Sequence, residues 1–139
     1  MKMAKKAKMN IFIGKRKKAI ARAYIKQGTG KIKINKRPLE LFDEYKKLRI
    51  EEALILAGDI VKTIDINVIV NGGGQWGQID AARTAIANAL VAFSKNEELK
   101  RKYMHYDKSL LVSDARRTEP HKPSRSSAGP RRSKQQSKR

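Results

Sequence analysis

The chain has 139 residues, which suits one domain with a tail, and it contains no cysteine. A disulfide framework, a thiolate nucleophile and a cysteine zinc site are therefore excluded. Lys and Arg number 33 against 13 Asp and Glu, a formal net charge of +20, so the free protein repels itself and attracts polyanions.

Neither membrane insertion nor secretion is predicted. The longest apolar run, residues 53–57, falls far short of the roughly 20 residues that a membrane span needs. The basic N-terminus is not followed by the apolar stretch of a secretory signal, and only two histidines are present. We expect a soluble intracellular protein without membrane contact, metal site or cofactor.

The positive charge is concentrated at the two ends of the chain. Residues 1–37 hold 14 basic and no acidic side chains, and residues 108–139 hold 10 basic and 2 acidic ones. The middle, residues 38–107, is nearly balanced with 9 basic and 11 acidic side chains. Two cationic ends on one small domain indicate a large polyanion that is bound at several places.

The C-terminal segment lacks the material for a hydrophobic core. After Val112 the only hydrophobic residues are Ala115 and Ala128, so too little is buried to offset the ordering entropy. We predict a basic N-terminal arm over residues 1–10, a globular domain over 11–114 and an extended basic tail over 115–139.

Alternating apolar residues predict three strands in the first 34 residues. A short strand is predicted over 9–13, a longer one over 18–26 and a third over 31–34. Because Gly28 and Gly30 tolerate positive φ, we predict that the second and third strands form an antiparallel hairpin.

Helical spacing begins after this hairpin. Asp43 is placed to cap a helix that runs to about Ala57 and stops at Gly58. The predicted core-facing stripe of this helix comprises Tyr45, Leu48, Ile50, Ala53, Leu54 and Ala57.

The remaining elements complete an α+β pattern. A strand is predicted over 63–70, and a helix is predicted from the following glycine loop to about Phe93. Ser94 and Glu97 match a capping box, so a third helix is predicted to about His105. A short strand is predicted over 110–112. This order predicts an α+β fold with two layers, in which the helices pack on one face of a sheet.

The segment Gly72–Gly77 has the spacing G-x-G-x-x-G between a predicted strand and a predicted helix, which is the fingerprint of dinucleotide-binding folds. Those folds need a parallel strand after the helix, whereas residues 94–106 are predicted to be helical. We therefore favour a tight turn, with backbone N–H groups near an RNA phosphate, over a nucleotide site.

The sequence has two pairs of adjacent glutamates, at 51–52 and at 97–98. Adjacent side chains on a helix point about 100° apart, so neither pair converges on one substrate atom. We therefore predict no catalytic pair and no enzyme.

A cationic strand start gives the strongest binding signal. Four consecutive cations, residues 15–18, precede a strand on which Arg22 and Tyr24 share a face. Cations interleaved with an aromatic side chain suit RNA, because charge meets phosphates while the ring or the guanidinium planes stack on bases. The alternative is a solvated edge strand whose charges prevent aggregation.

Four segments occur in a specific order and spacing: GKRKKAIARA at 14–23, GGG at 72–74 continuing through Gly77-Gln78 and Ala81-Ala82-Arg83, DARRTE at 114–119, and QSKR at 136–139. Together they resemble the small-subunit ribosomal protein S nine family in its archaeal and eukaryotic branch. The resemblance implies a fold like the second domain of ribosomal protein S five, with a left-handed crossover. It also implies a structural role in the head of the small subunit, bound to 16S-type rRNA beside neighbouring head proteins, in the cytoplasm.

The hypothesis of structural RNA binding assigns the rRNA-binding residues, and the resemblance assigns those near tRNA. The expected rRNA-binding residues are Lys15, Arg16, Lys17, Lys18, Arg22, Arg83, Arg116, Arg117, Lys122, Arg125, Arg131, Arg132 and Lys134. The tail's last residues, Ser137, Lys138 and Arg139, are expected to approach peptidyl-site tRNA. Lys138 stands where this branch often has an aromatic residue, which keeps the charge but not a stacking role. The alternative function is a free RNA-binding protein or RNA chaperone, and residues 1–10 are either an additional RNA-binding arm or disordered.

Overall fold

A computed structural model describes residues 10–121 and 129–131 of the chain. Among these residues the structure has one sheet of five strands in the order β1-β2-β5-β3-β4. The strands are β1 (Ile11–Arg16), β2 (Ala19–Gln27), β3 (Ile32–Ile34), β4 (Arg37–Pro38) and β5 (Ile64–Asn71). All neighbouring pairs are antiparallel except β3 and β5, which run parallel because α1 lies in the connection between them.

In the described part of the chain, three α-helices accompany the sheet: α1 (Glu44–Ala57), α2 (Gln75–Ser94) and α3 (Glu97–Tyr106). Short 3₁₀ turns cover Leu39–Leu41, Gly58–Thr63 and Lys108–Leu110. Helix α2 packs against β1, β2 and β5. Helix α1 packs beside α2, and α3 contacts both helices.

The predicted α+β class is confirmed. The likeness to the second domain of ribosomal protein S five and the domain boundaries stay predictions. Among the described residues, no helix has both the length and the apolar composition needed to cross a membrane.

Strand alternation separates a buried face of the sheet from an open one. On β5, the buried residues Ile64, Ile66, Val68 and Val70 alternate with side chains that are half-buried or exposed. On β2, Ala19, Ala21 and Ala23 are fully buried, while the residues between them are half-buried. The helices therefore cover one face, and the opposite face of the central strands is left to solvent.

The predicted hairpin between the strands at 18–26 and 31–34 is wrong. Strand β5 lies between β2 and β3, and the hairpin is formed by β1 and β2, with Lys17 and Lys18 in its turn. The Gly28–Gly30 segment is instead held by β5, since the Asp65 carboxylate accepts hydrogen bonds from the N–H groups of Thr29 and Lys31. These two hydrogen bonds lower the pKa of Asp65.

Three local predictions need correction. Residues 110–112 form no strand, because Leu110 ends a 3₁₀ turn and is buried under α2. Helix α3 is capped by Asn96, whose side chain accepts from the N–H of Glu98, and not by Ser94. On α1, Ile50, Ala53 and Ala57 are buried as predicted, but Tyr45 and Leu48 are 77% and 50% exposed and do not belong to the core.

Helix α3 is tied to α1 by one buried side chain. Tyr103 is fully buried and its hydroxyl donates a 2.6 Å hydrogen bond to the carbonyl oxygen of Ala53. Burial raises the pKa of Tyr103, so this hydroxyl keeps its proton and remains a hydrogen-bond donor at neutral pH.

The approach of α2 to the sheet requires small residues. A Cβ atom on Gly14 of β1 would overlap the carbonyl oxygen of Ala81 and lie 2.5 Å from the amide nitrogen of Ala85, both backbone atoms of α2. Ala21, which pairs with Gly14 on β2, and Ala82 of α2 are also fully buried. The packing distance of α2 is therefore set by small residues on both surfaces.

We expect Gly14→Ala to destabilise the protein by about 2–3 kcal/mol, because the new methyl group meets helix backbone that cannot move locally. Denaturant unfolding followed by circular dichroism measures the effect. The matched control is Gly77→Ala within α2, where the Cβ would lie 3.6 Å or more from its neighbours and alanine favours the helix. Equal stability of the two variants would contradict the close-packing argument.

Candidate nucleic-acid interface

The open face of the sheet brings predicted RNA-binding residues into rows. Because β1, β2 and β5 are in register, Arg22 lies between Ile13 and Ile69. The two isoleucines are 49% and 46% exposed, so a half-buried guanidinium is flanked by apolar surface. Such a surface offers one cation for a phosphate and flat apolar contacts for ribose or base.

The neighbouring row carries the aromatic side chain. Tyr24 lies between Ile11 of β1 and Asn67 of β5, and Lys33 of β3 pairs with Asn67 from the other side. Tyr24, Lys33 and Asn67 line a surface depression of about 450 Å³. The predicted common face of Arg22 and Tyr24 is consistent with this register.

The β1–β2 turn lies beside the start of α2. A Cβ atom on Gly73 would come within 2.9 Å of the amide nitrogen of Ala19, which shows how closely the glycine turn approaches the first residue of β2. Gly72 and Gly73 also have φ values of +77° and +67°. A side chain at either position would meet strain or backbone, so these glycines form the tight turn that the sequence favoured over a nucleotide site. The next element after α2 is α3 and not a parallel strand, in agreement with that choice.

The N-terminus of α2 has neither a side-chain cap nor a negative charge in its first turn. Its N-cap residue, Gly74, provides no side-chain hydrogen bond, and the first turn contains no acidic residue. Unpaired N–H groups and the helix dipole make such an end attractive to anions. Lys17 and Lys18 lie in the adjacent turn and are exposed, so two cations and a helix N-terminus face the same region.

Arg16 has a different environment from the lysines around it. Its guanidinium forms an ion pair with Asp114, and its Nε lies 3.9 Å from a carboxylate oxygen of Asp80. The backbone of Arg16 also forms a parallel bridge with Asp114, and Arg116 donates to the same carboxylate at 2.7 Å. Arg16 therefore joins Asp114, the residue before the predicted tail, to β1, and Arg116 pairs with the same carboxylate. Sequence reasoning assigned neither of these internal roles.

The structure corrects the expectation for Arg83. This residue is 3% exposed, and its Nη2 lies 2.7 Å from Oε2 of Glu52 on α1 and 3.1 Å from Oδ2 of Asp107 after α3. Burial opposes ionisation of Asp107, but hydrogen bonds from Ser109 and then Arg83 outweigh it and hold the pKa below the usual 3.8. The pair thus stabilises the fold above that pH and is lost as the pH falls through the lowered pKa. Arg83 connects three helical segments and does not face a ligand.

The remaining predicted site residues divide into three groups. Among the described residues, no carboxylate forms an ion pair with Lys15, Lys17, Lys18 or Arg22. Arg117 is exposed and donates to backbone carbonyls, and Arg131 forms a 2.8 Å ion pair with Glu119 that raises the pKa of its guanidinium. Outside the described residues lie Lys122, Arg125, Arg132, Lys134, Ser137, Lys138 and Arg139.

Sequence reasoning missed Trp76 as a candidate contact. It lies in the first turn of α2 and is 57% exposed, beside the glycine turn and the cationic β1–β2 turn. An exposed indole in such a position can stack on an unpaired base. The signal was present in the sequence, because this is the only tryptophan of the chain and it lies within the glycine motif.

Comparison with known proteins places the sequence among ribosomal proteins. A family model described as ribosomal protein S9/S16 matches residues 14–139. The small ribosomal subunit protein uS9 of Methanococcus maripaludis strain C7 is 56% identical over 126 residues, which are 90% of this chain and 94% of that protein. The protein of the same name from Methanococcus vannielii is also 56% identical, over 90% of this chain and 94% of its own length.

We expect Arg83→Met to lower the free energy of unfolding by about 3 kcal/mol, because it leaves two carboxylates without their buried cation. Arg22→Met is the matched control and should change it by no more than about 0.5 kcal/mol, since none of the described carboxylates pairs with that guanidinium. Urea unfolding at neutral pH compares the two. If both variants were equally stable, Arg83 would not have the structural role described.

Proposed function

Because the chain belongs to the ribosomal protein S9/S16 family, we propose that it is a structural component of the small ribosomal subunit and binds the large rRNA of the subunit head. The observation that carries the proposal is the segregation of charge. Carboxylates neutralise the buried Arg83 and the half-buried Arg16, whereas the cations of the open face and of the β1–β2 turn keep their charge for an external polyanion.

The open face and the adjacent turn form one continuous RNA-binding surface in this proposal. Lys15 pairs with Ile20 at the end of β1 next to the turn, and Arg22 follows two residues further along β2. Lys17 and Lys18 extend the cationic surface to the N-terminus of α2. Phosphates bind along these cations, and release of their counterions drives the association.

Apolar and aromatic side chains give this surface a second mode of contact. Ile13, Ile69 and Tyr24 offer flat contacts to ribose and base, and Trp76 does so at the other end of the surface. A solvated edge strand would not need half-exposed isoleucines on both sides of an arginine. This favours RNA binding over the alternative in which the charges only prevent aggregation.

The tail extends the contact from the body of the protein. Arg117 and Arg131 are exposed, and the other tail cations are Lys122, Arg125, Arg132 and Lys134. A chain segment that does not fold alone can follow an irregular RNA crevice, which suits this composition. We propose that Ser137, Lys138 and Arg139 reach the backbone of peptidyl-site tRNA, in a cytoplasmic ribosome.

The role is structural and not catalytic. This part of the proposal is supported by the family, which is one of ribosomal proteins. The second candidate is a free RNA-binding protein or RNA chaperone. It shares the basic surface but requires no stable association with a ribosomal particle.

Sedimentation separates the two candidates. We expect the chain to remain with small subunits through a moderate-salt wash, and the double variant Lys18→Glu with Arg22→Glu to be retained several-fold less, because two phosphate contacts become repulsive. Lys100→Glu with Arg101→Glu on α3 makes the same change of charge on the helical side and should be retained normally. A wild-type chain found only at the top of the gradient would favour the free RNA-binding protein.

The tail has its own test. Subunits containing a chain without Lys138 and Arg139 should assemble normally but bind peptidyl-site tRNA a few-fold more weakly, because an exposed charge contact contributes about 0.5–1 kcal/mol. A full-length chain with Gln at both positions separates the loss of charge from the loss of length. Filter binding of tRNA to purified subunits measures both, and unchanged affinity would contradict the tRNA contact.

A further inference from the structure

Helix α1 carries apolar side chains on two opposite faces. Ile50, Ala53 and Ala57 fill the core, whereas Leu48 and Ile55 are 50% and 74% exposed. Leu48 and Ile55 are seven residues apart, which is about two helical turns, so they lie on the same outer side. A helix that is apolar on both sides is typical of a helix that is covered on both sides.

The outer side of α1 is also acidic. Glu44 and Glu51 are linked to Leu48 and Ile55 by steps of three or four residues, which makes them surface neighbours. Glu44 is exposed and pairs with no cation among the described residues, and Glu51 lies 3.6 Å from Lys47. Two glutamates, of which Glu51 is ion-paired with Lys47, therefore flank two exposed apolar side chains, in a protein whose net charge is +20.

We propose that the outer face of α1, defined as Glu44, Leu48, Glu51 and Ile55, docks a neighbouring protein of the small subunit. The partner presents an apolar segment flanked by Lys or Arg. The proposal rests on the proposed function, because the partner is sought within the assembled subunit. Its specificity follows from charge: the apolar pair supplies the binding energy, and the glutamates select a basic segment.

The same charges argue against two other occupants. RNA phosphates would be repelled by the carboxylates, and the RNA-binding surface proposed above lies on the sheet face that the helices leave open. A second copy related by two-fold symmetry would place this acidic face against itself, and two chains of +20 repel each other. A basic protein segment is the one occupant that matches both the apolar and the acidic character of the face.

Site-directed photo-cross-linking in the assembled subunit tests the proposal. The chain has no cysteine, so Tyr45→Cys provides a single attachment site for a benzophenone probe on an exposed residue beside the outer face. We expect a cross-link to a protein, and mass spectrometry should locate it in a segment with apolar residues next to Lys or Arg. A cross-link to rRNA or to a second copy, a protein segment without basic residues, or no cross-link at all would overturn the proposal.

Matched variants test the two components of the face. Leu48→Asp with Ile55→Asp should lower the cross-link yield about tenfold, while Met104→Asp with Tyr106→Asp, at exposed positions of α3, should leave it unchanged. Glu44→Gln with Glu51→Gln should lower the yield several-fold, and Glu97→Gln with Glu98→Gln on α3 should not. All substituted positions are surface positions, and thermal melts verify that the variants fold. Equal yields from the α1 and α3 variants would overturn the proposal.

The design distinguishes failure of this inference from failure of the proposed function. A chain that sediments with small subunits but gives no protein cross-link from Tyr45→Cys contradicts only the docking face. A chain that is absent from small subunits contradicts the proposed function itself, and the inference with it.

Discussion

The close contact between α2 and the β1–β2 hairpin is the constraint on which the rest of the structure depends. Gly14 leaves no room for a side chain against the α2 backbone, and the alanines on both surfaces keep the two elements close. This contact sets where α2 begins and where the β1–β2 turn lies. The cations of that turn, the glycine turn and the N-terminus of α2 meet because the packing beneath them is so tight.

Acidic residues divide into those used inside the protein and those left outside. Glu52 and Asp107 hold Arg83, and Asp114 holds Arg16, so the carboxylates near the cationic side compensate cations that are buried or half-buried. On the outer face of α1, Glu44 is exposed and Glu51 is half-buried beside Lys47. The open face of the sheet presents cations, whereas the outer face of α1 presents exposed apolar side chains beside these two glutamates. This difference suits a protein placed between nucleic acid and another polypeptide.

Local patterns predicted the elements well, but long-range pairing was beyond them. The alternation of β5 and the helical spacing of α2 are set by residues close in sequence, whereas the insertion of β5 between β2 and β3 depends on a strand more than 30 residues away. On α1 the periodicity could not tell the core face from the outer one, because Leu48 and Ile50 are equally apolar. Arg83 looked like a ligand contact because its charge was visible in the sequence and its two carboxylate partners, on other elements, were not. Strand alternation predicted the common face of Arg22 and Tyr24, but the sequence placed Lys18 in a strand, whereas Lys17 and Lys18 lie in the β1–β2 turn. The role of these cations in RNA binding stays a proposal.

The bridge between Arg16 and Asp114 determines where the C-terminal segment leaves the body. A segment that starts from a fixed point explores a smaller volume than one attached through a loose linker, and it loses less entropy when its far end is captured. The Arg16–Asp114 bridge adjoins the cationic β1–β2 turn. If this turn binds an RNA segment, the local concentration of that RNA rises around the arginines that follow residue 115. The body and the tail would then bind in sequence, with the first contact making the second more favourable.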